Sequence, residues 1–339
     1  MDKKTFPAFP LAELHAHLST SINPAVYWQI ARSQGFKLPK KNYQEFIDYV
    51  TLSPKRRMNL NEYFEQIYHP LLDKLSSGTY AVEKATYEIM TGAYRNNIKL
   101  IELRNNPMKH NQGGAIDLDH VIMSMLRGME RALLEYEDLS AGLIFILARE
   151  FTLEMNETII EKAIKYHSRG VVGVDIAGPS NPNFHFKDYK TLMQKAKDAG
   201  LKVTVHTGEA SDANDMWEAL ESINPLRIGH GIKAAYDKDL MMELKKRGVV
   251  LEICPLSNIV TNAVKDTEEL RFILQTLRDN EVKFCINTDW PEVIHNGHLW
   301  RQFQFLKEKS ILTEEELKEC NDIAFKSTFI PEGGLNAYL

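Results

Sequence analysis

Cysteine is scarce in this 339-residue chain. Cys254, Cys285 and Cys320 stand apart with no C-x-x-C pair, which excludes a disulfide framework and points to a reducing cytosol. Long apolar runs are missing as well. None reaches the length of a membrane span, and the opening MDKKTFPAFP has no signal-peptide core, so a cytoplasmic protein without membrane partners is expected. Nor is there a large excess of charge. The 41 basic and 46 acidic residues leave a formal charge of −5. That argues against a nucleic-acid or membrane-surface binder, while allowing one local basic pocket for a phosphate. No linker, low-complexity run or close repeat divides the sequence, so residues 1–339 are expected to form a single domain. A hydrophobic content of 44% is enough for a sizeable core.

What is present is a recurring pattern. Short, apolar, β-rich runs occupy residues 11–18, 99–104, 142–148, 171–177, 202–206, 226–230, 249–254 and 282–287. Helical segments are expected at 118–136, 154–168, 188–198 and 239–247. Near-continuous apolar strands alternating with helices predict a parallel sheet buried on both faces. Eight units suggest a (β/α)8 TIM barrel, with an open doubly wound sheet as the competing architecture. Residues 19–97 have little β character and are read as a helical insertion over the barrel mouth, with Asn23 and Pro24 starting its first helix. C-terminal helices follow from Leu299. The polar residues decide between the two architectures: His15, His17, His206, His230 and Asp289 all fall at or just past strand ends, the rim that carries barrel active sites.

His15 and His17 lie two apart on one strand, so their imidazoles share a face and make half of a zinc site. His206 can add a third nitrogen, and Gly208 permits a turn that returns Glu209 toward it. Asp289 ends an apolar run, where an unpaired carboxylate would be costly, and is read as the fourth ligand. His230 stands between two glycines and could orient or deprotonate a water. Zinc lowers the pKa of its water from ~15.7 toward ~7, the toolkit of a hydrolase or deaminase. Strand four, VVGVDIAG, carries no lysine to bridge two metals, so one Zn2+ per chain is expected.

The ordered segments ELHAHL, IELRNNP, VVGVDIAG, VHTGE, RIGHG, CPLSN and NTD resemble the adenosine deaminase family of metal-dependent amidohydrolases, a family of (β/α)8 barrels. The resemblance implies that His15, His17, His206 and Asp289 bind zinc. Glu209 would protonate the purine nitrogen beside the attacked carbon, His230 would act on the attacking water, and Gly178 would offer its backbone N–H to another ring nitrogen. Two departures from the family pattern concern the substrate. Trp290 stands where the family has a second aspartate that bonds the purine. It either packs away or alters base recognition, for example by stacking. Ser19, in HLSTSI, replaces an aspartate that bonds the ribose; with Thr20 and Ser21 it could instead donate to a 5′-phosphate, aided by Arg56 and Arg57 unless these are a plain exposed pair. Gly178-Pro179 replaces the usual Gly-Asp.

Arg104 is expected to brace the mouth through a buried carboxylate, with Glu102 as partner only if the strand bends. His69, His110, His120, His167, His185, His295 and His298 are assigned surface or capping roles, and Met123, Met125 and Met129 core packing. The expected activity is zinc-dependent hydrolytic deamination of an adenine nucleoside or its 5′-monophosphate, a small-molecule partner, in a chain of unassigned oligomeric state. The alternatives are deamination of another amino-substituted heterocycle, such as a pterin or N6-substituted AMP, and a catalytically silent relative that binds or assembles.

Overall fold

The computed structural model describes residues 7–111, 117–179 and 181–333. Its centre is a ring of eight parallel strands in sequential order: β1 (Leu11–His17), β2 (Ile98–Asn105), β3 (Ser140–Ala148), β4 (Val171–Ala177), β5 (Lys202–Thr207), β6 (Arg227–His230), β7 (Val250–Ile253) and β8 (Phe284–Ile286). Helices connect them, making a (β/α)8 barrel. All eight predicted runs are strands. Between β8 and β1 the closure is made just beyond β8, where the Asp289 N–H donates to His15 O at 2.7 Å and the His17 N–H donates to Asp289 O at 3.2 Å. Asp289, one of the four expected ligands, therefore seals the ring.

On β1 an extra residue between Glu13 and Ala16 shifts the register against β2. Ala12 and Leu14 belong to the apolar cluster at the barrel base, while His15 and His17 both turn to the mouth. The bulge lets one strand serve both layers. The base is plugged from outside by the C-terminal helix Glu314–Lys326 and by Phe329 and Ile330 behind it. A side chain at Gly173 would lie 2.8 Å from the Phe329 ring, so the plug seats only over glycine there.

Above the plug sits a buried ionic layer. Arg227 pairs through Nη2 with Glu102 and through Nε with Glu252 at 2.7 Å, and its Nη1 donates to Ser327 O at 2.7 Å. Glu102 thus pairs with Arg227 and not with Arg104. Residues i and i+2 on one strand are held parallel, and the facing strand offers better reach.

The insertion carries helices Pro24–Gln34 and Tyr43–Val50, then one helical rod from Leu60 to Leu75. Asn23 caps the first by accepting from the Ala25 N–H at 2.9 Å. The rod is wound as a π-helix over Phe64–Leu72, with Pro70 inside it. Proline removes one helical N–H, and π turns of this kind recur at functional sites. Helix Thr79–Arg95 packs on β2 and on Asp119–Glu135 like the other ring helices. Helices Ala213–Ser222, Pro255–Val260 and Thr267–Asp279 were not anticipated from the pattern. Among the described residues no helix is long and apolar enough to cross a membrane.

The buried layer predicts a stability effect. Arg227→Met strands the fully buried Glu102 carboxylate and removes one of two cations from Glu252, and should cost about 3–5 kcal/mol, measured by denaturant unfolding. A loss under about 1 kcal/mol would show that the ionic layer does not hold the plug.

Candidate metal centre and active site

Two of the imidazoles at the mouth are each oriented by a carboxylate behind the ring. His15 Nδ1 lies 2.8 Å from Glu252 Oε2 and His206 Nδ1 lies 3.0 Å from Asp175 Oδ2. Donation through Nδ1–H leaves both Nε2 atoms with free lone pairs, the arrangement that metal-binding histidines adopt. Arg104 joins the two carboxylates, at 2.9 Å to Asp175 and 2.8 Å to Glu252, and its Nη2 donates to Leu14 O at 2.6 Å. All three side chains are fully buried. Arg104 was expected to brace the mouth through one buried carboxylate; it holds two.

The four predicted ligands converge. His17 Nε2 is 3.2 Å and His15 Nε2 3.6 Å from Asp289 Oδ1, and His17 Nε2 is 3.1 Å from His206 Nε2. One ligand atom from each of His15, His17, His206 and Asp289 lies within 4.8 Å of the others. His15 Nε2 is buried without a hydrogen-bond partner among the described residues. Lone pairs facing one another and one carboxylate fit a cation of the zinc type.

Electrostatics support that fit. Burial, then the Arg104 charge, push His15 down to about 4, and burial likewise takes His206 down to about 4. His17 is lowered by burial too. Neutral imidazole is the ligating form. Burial opposes ionisation of Asp289, but the close His15 and His17 imidazoles outweigh it and hold the carboxyl well below its usual range. Ser257 Oγ donates to its other oxygen at 2.6 Å. Gly229 sits directly under the cluster: a Cβ there would lie 2.9 Å from His15 Cε1 and 3.2 Å from His206 Nδ1.

Glu209 and His230 lie against this cluster. Glu209 Oε2 is 3.5 Å from His230 Nε2, and Thr261 Oγ1 donates to Glu209 Oε1 at 3.3 Å. Asn258 Nδ2 donates to His230 Nδ1 at 2.9 Å, so the proton of a neutral His230 sits on Nε2, toward Glu209. Burial raises the Glu209 carboxyl above its ordinary value, which favours the proton-carrying form. Both His230 and Asp289 have positive φ, 61° and 62°, strain of the kind that active sites hold.

The remaining expected residues divide. Gly178 lines the same cavity with φ +119°, and a Cβ there would meet Glu150 Oε2 at 2.5 Å. Trp290 is buried, lines the cavity and stacks on Tyr63 at 4.6 Å, so it packs and forms a wall at once. Ser19 lines the cavity too, but its hydroxyl is 3.3 Å from Ser76 Oγ and accepts from Tyr68 OH at 3.4 Å. Thr20 Oγ1 donates back to His17 O and Asp289 O, each at 3.3 Å. Ser21 lines a different cavity, behind β1. Arg56 and Arg57 donate to the backbone carbonyls of Thr51 and Lys265, at 2.9 Å each. His110 corrects its surface assignment: it is buried in the cavity wall, with Nδ1 3.0 Å from Ser76 O.

Sequence reasoning passed over Asp175, Glu252, Asn258 and the insertion's Leu60, Phe64 and Tyr68, which reach the cavity. Lone carboxylates within VVGVDIA and VVLEIC were the available signal, since a buried charge needs a partner. The lining residues surround a cavity of about 80 Å³.

Known proteins resemble this chain. The family model described as adenosine deaminase matches residues 10–338. The chain belongs to the adenosine deaminase family. An adenosine deaminase of Clostridium perfringens is 30% identical over 323 residues, 95% of each chain. Two solved structures share the fold. An amidohydrolase of Burkholderia ambifaria with bound zinc has TM-score 0.82 at 19% identity, covering 98% of this chain and 89% of that one. An N6-mAMP deaminase of Arabidopsis has TM-score 0.80 at 23% identity, covering 98% and 97%. The family identity makes this chain a hydrolytic deaminase.

Two measurements probe the centre. Glu252→Gln should weaken zinc affinity about 10–100-fold in chelator competition; unchanged affinity would remove Glu252 from the metal's support. With His15 and His206 neutral down to about 4, zinc content should persist well below pH 6.5 and fall as the pH approaches 4, followed by metal analysis after dialysis. Loss centred near 6.5 would contradict the buried setting.

Proposed function

We propose that this chain hydrolyses the 6-amino group of an adenine nucleoside, releasing ammonia and leaving the 6-oxo purine. The observation that carries the proposal is the meeting of His15, His17, His206 and Asp289 in one cavity with the Glu209–His230 pair. Zinc is the proposed metal, one per chain, held by those four residues. Bound there it would supply hydrolytic chemistry at neutral pH by acidifying water.

The protein's own groups then divide the proton work. Glu209, whose proton-carrying form burial favours, gives a proton to the ring nitrogen beside the attacked carbon, so negative charge need not build on the ring. His230 faces the same point through Nε2 and steadies the incoming water as its charge develops. Gly178 offers backbone to the ring's far edge, and the Trp290 face closes one side of the base. Water adds oxygen at C6, the C6–N bond breaks, and ammonia leaves with a transferred proton.

The nucleoside is favoured over its 5′-monophosphate because the cavity's cations are already engaged. Lys109 pairs with Glu150 at 2.5 Å, and Arg149 lies 3.6 Å from Asp215 and donates to His206 O. Ser19 supports the nucleotide reading, because a hydroxyl replaces a carboxylate that would repel phosphate.

A panel of adenosine, deoxyadenosine, AMP, dAMP and N6-methyl-AMP, read by ammonia release, should show turnover with the nucleosides ahead. No turnover of any of them by zinc-loaded protein would overturn the proposal. Glu209→Gln should lower kcat/KM about 10²–10⁴-fold with zinc content unchanged. Since Glu209 acts only while protonated, wild-type kcat/KM should fall as the pH rises through its raised pKa. That alkaline limb should be absent from the variant's residual activity.

A further inference from the structure

The metal ligands and proton carriers come from the ends of β1, β5, β6 and β8. Strand β7 supplies none of them, yet the turn of helix that follows it touches three. Ser257 Oγ donates to Asp289 Oδ2 at 2.6 Å, and Asn258 Nδ2 donates to His230 Nδ1 at 2.9 Å. Thr261, at the end of helix Pro255–Val260, reaches Glu209. It lies four residues from Ser257 and three from Asn258, so a helical turn sets all three on one side. The first two contacts fix a ligand and a tautomer. The third bears on which oxygen of Glu209 carries its proton.

Glu209 stands in the loop after β5, beyond Gly208 with φ +67°, so no strand holds its carboxyl in place. Two side chains flank that carboxyl instead, one at each oxygen. His230 Nε2 lies 3.5 Å from Oε2, and Thr261 Oγ1 lies 3.3 Å from Oε1. The threonine hydroxyl has one hydrogen and two acceptors in reach, the other being Ser257 O at 2.9 Å. Ser257 O already accepts the Thr261 N–H at 2.8 Å, so turning the hydroxyl to Glu209 leaves no backbone group unmet. A 3.3 Å contact is long for an O–H···O bond, a length common in catalytic contacts until substrate draws them in. Thr261 is buried, so bulk water competes little for the bond. An oxygen that accepts a hydroxyl hydrogen is the poorer place for the acid's own proton. That proton then sits on Oε2, beside His230 and the reacting point.

We infer that Thr261 is a positioning residue for proton delivery: its hydroxyl anchors Oε1 of Glu209 and leaves Oε2 to carry the proton to the substrate ring. The proton leaves Oε2 for the ring nitrogen, and the carboxylate left behind keeps the Thr261 hydrogen bond on Oε1. The inference rests on the deaminase reading and adds a residue to its machinery.

Thr261→Val keeps the branched shape and removes the hydroxyl. In the zinc-loaded full chain, with adenosine or whichever adenine substrate is turned over, it should lower kcat about 10–100-fold. KM, zinc content and melting temperature should stay near wild type. Thr261→Ser, which keeps the hydroxyl, should retain wild-type turnover. Combining Thr261→Val with Glu209→Gln should cost little beyond Glu209→Gln alone, because the threonine acts only through a proton that the glutamine lacks. Wild-type kcat in Thr261→Val overturns the inference. So does a full further loss in the double variant, or a Thr261→Ser as slow as the valine variant; either would make the residue structural. If Thr261→Val melts early or sheds zinc, Thr261→Ser and Thr261→Ala decide, since both lack the methyl group: equal rates in the two overturn the inference. A wild type that turns over no adenine substrate fails the deaminase reading itself, a result distinct from turnover that ignores Thr261.

Discussion

The Arg104 guanidinium is the interaction on which the rest of the site depends. It lies inside the barrel, fully buried, with Asp175 on one side and Glu252 on the other. Burial alone would drive both carboxylates to take up protons. With the cation between them, and Arg227 also on Glu252, both are held below their ordinary range. They can then accept from His15 and His206, which fixes those rings and turns Nε2 of each toward the metal position. Removing the arginine would leave two buried carboxylates in competition for protons, and the imidazoles without a defined tautomer. The same cation helps to keep the histidines neutral, so one residue sets the protonation of both layers.

Around this core the backbone and the candidate metal site are the same object. Asp289 closes the ring against β1 through its own N–H and C=O and carries its carboxylate into the cluster from a left-handed conformation. Gly229 leaves the gap in which two imidazoles sit. The base of the barrel is arranged separately, by the Arg227–Glu102 pair and the C-terminal plug. Chemistry and closure of the fold thus sit at one end and anchoring at the other, the division that parallel barrels favour. The insertion and the β2–β3 rim line the rest of the cavity. Phe64 and Tyr68 of the insertion line the cavity there, facing the Trp290 ring that follows β8.

Much of this was legible before the fold was known, and for identifiable reasons. Eight strands could be counted because a strand buried on both faces must be apolar almost throughout. His15, His17, His206, His230 and Asp289 then stood out as polar residues at the ends of such runs. Glu102, Asp175 and Glu252 broke the apolar pattern just as plainly, but a sequence does not say which buried cation answers which carboxylate. Glu102 found Arg227 across the barrel instead of Arg104 on its own strand. The serines after β1 show the opposite case. Residue type suggested a phosphate cradle at Ser19, Thr20 and Ser21. In the fold Thr20 bonds back to the chain, Ser21 faces another cavity and Ser19 is occupied by Ser76 and Tyr68.

The sequence by itself determined the barrel, the family and the residue types able to bind a metal and move a proton, because these follow from periodicity and from side chains that are costly to bury without purpose. Only the tertiary structure decided which groups still have bonding capacity to offer a ligand. That depends on partners distant in sequence: Asn106 is spent on Ile146 O and Ser19 on Ser76 and Tyr68, contacts that residue type alone does not reveal.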